Sequence, residues 1–143
     1  MPEKRSPTSE QAEAIDYRDS ACVLSSGAGC GKTTVLTERY ISLLKKDHFS
    51  IPQIVAITFT ERAAREMRRR IREEIGKRLT AVEDESALET WQNHKQNLDS
   101  APIQTIHAFC SSLLHRFAED AGLDPDFTTL DEAAASSISW ITR

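Results

Sequence analysis

The chain has 143 residues, 39% of them apolar and 28% charged, a composition of about one globular domain and not of a disordered tail. Eighteen Lys or Arg against 22 Asp or Glu leave a net charge of −4, which taken alone argues against nucleic-acid binding. The start, Met1-Pro-Glu-Lys-Arg-Ser-Pro7, has no apolar run, no stretch approaches the ~20 apolar residues of a membrane span, and Cys22, Cys30 and Cys110 lack metal-ligand spacing; a cytoplasmic chain with no membrane partner is expected.

Thr8-Ser-Glu-Gln11 opens a helix that runs to about Tyr17. Thr8 with Gln11 three residues on is a capping box, and the same amide could contact an adenine edge; spacing alone favours the cap. Ala21 to Leu24 reads as a buried strand that breaks into a loop with Gly27, Gly29 and Gly31. A helix from Lys32 to Lys46 follows, with Val35, Leu36, Tyr40, Leu43 and Leu44 apolar. Strand, glycine loop and helix N-terminus in that order aim backbone N–H groups and a partial positive charge at an anion. The pattern G-x-x-x-x-G-K-[ST] is met at Gly31-Lys32-Thr33, with Ser26 in place of the first glycine. A nucleotide's phosphates would then lie among Ser26, Gly27, Ala28, Gly29, Cys30, Gly31, Lys32, Thr33 and Thr34. Lys32 would reach the β- and γ-phosphates and the Thr33 hydroxyl would ligand Mg²⁺, which makes these two the loop's catalytic residues.

Ile54-Val-Ala-Ile57 reads as a second buried strand, parallel to the first. Thr60 is the expected N-cap of the next helix, on which Ala63, Met67, Ile71, Ile75 and Leu79 form a stripe at i, i+4. Residues 61–79 hold eight basic side chains (Arg62, Arg65, Arg68, Arg69, Arg70, Arg72, Lys77, Arg78) against four Glu. They make either a phosphate-tracking face or a solvated helix laced with Glu–Arg pairs. Thr58, Phe59 and Thr60 lie at the carboxyl end of the strand, where Phe59 either stacks on a base or is buried under the helix. Residues 80–100, with Leu88, Trp91 and Leu98, read as an inserted helix or long connection. Pro102 to Ile106 gives a third short strand. The helix after it carries Ile106, Phe109, Cys110, Leu113, Leu114 and Phe117 on one face and ends at Gly122, with His107 off the stripe, either exposed or placed for a ligand.

Four segments in this order resemble one family. Thr8–Ile15 resembles the Q motif of UvrD/Rep-type superfamily 1 DNA helicases, Ser26–Thr33 their motif I (Walker A), Ile54–Met67 their motif Ia with its T-F-T-x-x-A-A-x-E-M signature, and Thr105–Cys110 their next DNA-contacting motif. The form T-I-H-x-F-C, Leu36–Tyr40 and Asp124–Glu132 look most like the AddA/RecB branch, helicase–nuclease subunits that process double-strand breaks. The resemblance implies an α/β fold: a P-loop NTPase (RecA-like) parallel sheet with strands near 21–25, 54–58 and 102–105, flanked by helices, as an incomplete first motor domain over residues 1–143. It implies ATP and Mg²⁺, with adenine read by Gln11. It implies single- or double-stranded DNA as partner, contacted by Thr58, Phe59, Thr60, Arg62, Thr105 and His107, and a second helicase–nuclease subunit. Thr34 stands where many members carry an arginine near the base. Asp131-Glu132 is not read as the family's D-E-x-x, because Phe127-Thr-Thr-Leu130 before it is no apolar strand. Motifs III to VI are not in the sequence, so the 143 residues by themselves are expected not to unwind DNA. The alternatives are a nucleotide- or DNA-binding remnant without turnover and an unrelated small P-loop kinase, which would leave motif Ia unexplained.

Overall fold

A computed structural model describes residues 6–25, 27, 29 and 31–130. They form five α-helices, two short 3₁₀ helices and two short strands, and the chain divides into two compact units, Met1–Gln104 and Thr105–Arg143. Ser26, Ala28 and Cys30 of the expected phosphate loop, and Asp131 and Glu132, lie outside the described residues.

In the first unit, α1 (Ser9–Asp16) starts where the capping box places it. The Thr8 hydroxyl accepts from the Gln11 N–H at 3.3 Å, and Gln11 Oε1 accepts from the Thr8 N–H at 3.0 Å. Only Ala14 of this helix is buried, so α1 is fastened to α2 (Lys32–Lys46) mainly by polar groups. Arg39 donates to the Ala14 carbonyl (2.7 Å), and Ser42 and Lys46 both donate to Asp16 (3.0 and 2.8 Å). Arg18 joins Asp47 (2.7 Å), Ser42 (3.0 Å) and the Ile15 carbonyl (2.9 Å). The Lys46 ammonium lowers the pKa of Asp16, and the Arg18 guanidinium lowers that of Asp47.

β1 (Ala56–Thr58) leads to α3 (Glu61–Ala81), then α4 (Glu85–Asn97) and β2 (Ile103–Thr105). β1 and β2 form a small parallel pair, begun by the Ala56 N–H donating to the Pro102 carbonyl at 3.0 Å. The core joins Tyr40, Ile41 and Leu44 of α2 to Ala64, Met67, Ile71 and Ile75 of α3, closed by Ile51, Ile54, Trp91, Leu98, Ala101 and Ile103. Segment 80–100 is thus mostly a helix, capped by Asp84, that buries Trp91 and His94. Arg78 lies over the Trp91 ring at 5.5 Å.

Three expectations are corrected. Ala21–Leu24 is neither strand nor buried: Val23 is 91% exposed, and the two-stranded sheet contains no residue of this segment. An apolar run becomes a strand only with a neighbour on its ladder, and β1 and β2 pair only with each other. The second expected strand is only partly buried: Ile54 is covered, while Val55 and Ile57 are exposed. On α3 the buried residue of the first turn is Ala64, with Ala63 exposed and Leu79 half-buried.

In the second unit Thr105 caps α5 (Ile106–Arg116), its hydroxyl accepting from the Ala108 N–H at 3.2 Å. The helix ends at Arg116, well before Gly122. A tight turn follows, in which the Leu123 N–H donates to the Ala118 carbonyl (2.8 Å) and Gly122 takes φ +67°. Here too the expected buried stripe differs. No α5 residue is buried, and Ile106, Leu113, Leu114 and Phe117 are exposed. The unit's packing comes from buried Ala118 and from His115 stacked on Phe127, ring centroids 4.1 Å apart.

Candidate nucleotide and nucleic-acid sites

Gly29 and Gly31 adopt φ +79° and +81°, a left-handed backbone that costs a non-glycine residue about 1–2 kcal/mol. Gly31 is also the N-cap of α2, and it offers no side chain to cap the helix's first amides. Lys32 turns back over the loop and donates from Nζ to the Gly27 carbonyl at 2.7 Å. Thr33 and Thr34 are exposed beside it. A Cβ built on Gly31 would stand 3.3 Å from Gln11 Nε2. The structure therefore brings Gln11, far upstream in sequence, against the start of α2. Its Oε1 closes the α1 cap while its amide nitrogen lies by the loop, so both readings of Gln11 can hold at once. An amide oxygen keeps a second lone pair for another donor. Among the described residues no group of three His, Cys, Asp or Glu could hold a metal ion.

At the end of β1, Phe59 is 98% exposed, which decides between the two positions expected for it: the ring is presented and not covered by α3. Thr60 spends its hydroxyl on the Ala63 N–H (3.1 Å) as N-cap, and Thr58 donates to the Thr60 carbonyl (3.1 Å), so the two threonines shape the corner on which Phe59 stands. The basic run divides. Arg69 holds Glu66 (2.8 Å) and Glu73, Arg70 holds Glu66 (2.7 Å), Arg72 holds Asp99 and Lys77 holds Glu74 (2.6 Å). Arg68 donates to the Ile103 carbonyl (2.9 Å), and Arg78 lies on Trp91. Among the described residues Arg62 and Arg65 make no ion pair or hydrogen bond. Most of α3 is the laced helix of the second alternative; its opening turns carry free charge. The sequence does not single out Arg65, because eight basic residues in a run do not reveal which are neutralised.

The second unit holds Thr105, buried as a cap, and His107, exposed in the first turn of α5.

Residues 7–140 match the UvrD/REP helicase N-terminal domain, and the chain belongs to that family. It is 39% identical over 126 residues to an ATP-dependent helicase/nuclease A-subunit of Lactobacillus delbrueckii subsp. bulgaricus, covering 88% of this chain and 10% of that protein. Proteins of the same name from Syntrophomonas wolfei subsp. wolfei (37% over 131 residues; 92% and 10%) and Alkaliphilus metalliredigens (40% over 121; 84% and 10%) are similar. The chain spans about a tenth of the length of these curated relatives. Among the described residues no helix is long and apolar enough to cross a membrane.

Proposed function

We propose that these residues are the nucleotide- and strand-binding front of an ATP-dependent DNA helicase of the helicase–nuclease kind, with unwinding and any nuclease activity belonging to a protein of the relatives' length. The observation that carries the reading is the convergence of Gln11 Nε2, Gly31 and the Lys32–Gly27 contact at the start of α2. That arrangement offers one ammonium, a row of helix N-terminal amides and one amide side chain, which suits two phosphates and an adenine edge. Lys32 exchanges the Gly27 carbonyl for phosphate oxygens, and Gln11 orients the base. Magnesium keeps several waters and takes phosphate oxygens; of these residues the Thr33 hydroxyl would hold it, and it would neutralise charge on the phosphates when bound. Phe59 supplies the stacking face for a strand, with Arg62 beside it; His107 and Thr105 are proposed as further contacts. The proposed partners are DNA and a second helicase–nuclease subunit, and the proposed location is the cytoplasm.

Equilibrium titration with fluorescent Mg·ATP tests the nucleotide site. Charge-assisted hydrogen bonds contribute about 1.5–3 kcal/mol each, so Lys32→Ala is expected to weaken binding roughly tenfold or more. Gln11→Ala is expected to lower the preference for ATP over GTP. Equal affinity of wild type and Lys32→Ala would refute the site.

A further inference from the structure

We infer that Arg65, with Arg62, is a backbone-phosphate contact for single-stranded DNA that extends the Phe59 platform along the first turns of α3; the inference rests on the strand-binding role proposed for Phe59. Eight basic side chains lie on this helix, and among the described residues six are engaged by carboxylates, a carbonyl or a ring. The two left over are not scattered. Arg62 and Arg65 stand three residues apart, hence on one side of the helix, and with Glu66 and Arg69 they line a shallow open groove. Glu66, the one carboxylate in that groove, is already held by Arg69 and Arg70 and is unavailable to neutralise them.

Local electrostatics disfavours this placement. Two like charges at i, i+3 repel, and cations near the N-terminus of a helix oppose its dipole. Only Glu61 offsets this in the first turn. Of the helix's four glutamates, Glu66, Glu73 and Glu74 are taken by Arg69, Arg70 and Lys77, and among the described residues Glu61 forms no ion pair with Arg62 or Arg65. Uncompensated charge at a point where it destabilises the element marks a surface shaped for a ligand. The ligand is anionic and repeating, because two separate guanidinia need two acceptors. It also carries a flat apolar face, because the fully presented ring of Phe59 lies three residues before Arg62. A single strand of DNA meets both demands, with its base on the ring and neighbouring phosphates on the arginines. Both arginines occupy open positions of the T-F-T-x-x-A-A-x-E-M signature, so the signature itself does not require them.

The test is the salt dependence of binding of a labelled oligodeoxythymidine to the full 143-residue chain, from about 50 to about 200 mM salt. Each phosphate contact adds about 0.7 to the slope of log K against log salt for a single strand. Arg65→Gln is expected to flatten the slope by about 0.7, Arg62→Gln by the same, and the double variant by about 1.4. Arg72→Gln removes the same charge from the same helix, but from a side chain already paired with Asp99, and is expected to leave the slope unchanged. Arg65→Lys is expected to keep the wild-type slope. The thermal midpoint of Arg65→Gln is expected not to fall, since a repulsive charge has been removed. A wild-type slope in Arg65→Gln, or an equal flattening in Arg72→Gln, overturns the inference while leaving the Phe59 platform standing, provided Phe59→Ala loses affinity. Absence of binding by the wild-type chain, or undiminished binding by Phe59→Ala, removes the platform and the inference together.

Discussion

His94 is 7% exposed, and its ring meets Trp91 edge-on at 5.5 Å. Burial penalises the imidazolium, so the folded-state pKa lies below the ordinary 6.5. Below that pH the unfolded chain binds more protons than the folded one. Stability is therefore complete above about pH 6.5 and declines as pH falls toward the lowered value. Asp16 and Asp47, whose folded pKa values are lowered by Lys46 and Arg18, lose their contribution only as pH falls below the ordinary 3.8. Glu66, drawn down to about 2 by Arg69 and Arg70, does so only below 4.5. As pH falls, the histidine begins to count about two units before the first of these carboxylates. The thermal midpoint is expected to fall between pH 7 and pH 5, and His94→Phe, which keeps a ring edge toward Trp91, should flatten that segment of the curve. Nothing in the sequence singles out this histidine. It sits three residues after Trp91 in an acidic, polar stretch, and whether such a residue is covered depends on α3 and the turn at Ile51, both distant in sequence.

At the scale of elements, what a short stretch decides by itself is readable from sequence. The capping box at Thr8 and Gln11, the Thr60 cap and the bounds of α2 are set by groups within three or four residues of one another, and all three are found. The strands are not, because a ladder partner is supplied from elsewhere in the chain; this separates Ala21–Leu24, which stays unpaired, from Ala56–Thr58. The α3 stripe shows a subtler failure. Steps of four residues advance about 40° around a helix, so five residues at strict i, i+4 wind off the core. The observed face takes a step of three, Ala64 to Met67, which turns it back. Two glutamates test this. Ala63→Glu is expected to be neutral or slightly stabilising in a urea titration, since it places a carboxylate at the N3 position of the Thr60 cap. Ala64→Glu buries a charge in the core and is expected to cost several kcal/mol or prevent folding.

Across the molecule, the site is readable to the extent that it is contiguous. Lys32, Thr33 and the glycines stand out as a string, and Phe59 as the end of a strand, whereas the approach of Gln11 to Gly31 and the division of the arginines into paired and free depend on how distant segments meet. Exposed apolar side chains are present in both units, Val23, Val55 and Ile57 in the first and Leu113, Leu114 and Phe117 in the second.

The fastening of α1 has its own consequence. The helix that carries Gln11 buries one alanine, and its moorings include the Asp16–Lys46 and Arg18–Asp47 ion pairs, which dissolved salt screens. Phosphate binding also weakens with salt, but it does so equally for every nucleoside triphosphate and cancels from the ratio of two affinities. If the amide of Gln11 discriminates between bases, that ratio should drift toward one as ionic strength rises, and competition between ATP and GTP at two salt concentrations would measure it. Fidelity for the base would then be an electrolyte-sensitive property of this chain, maintained by charges that never meet the nucleotide.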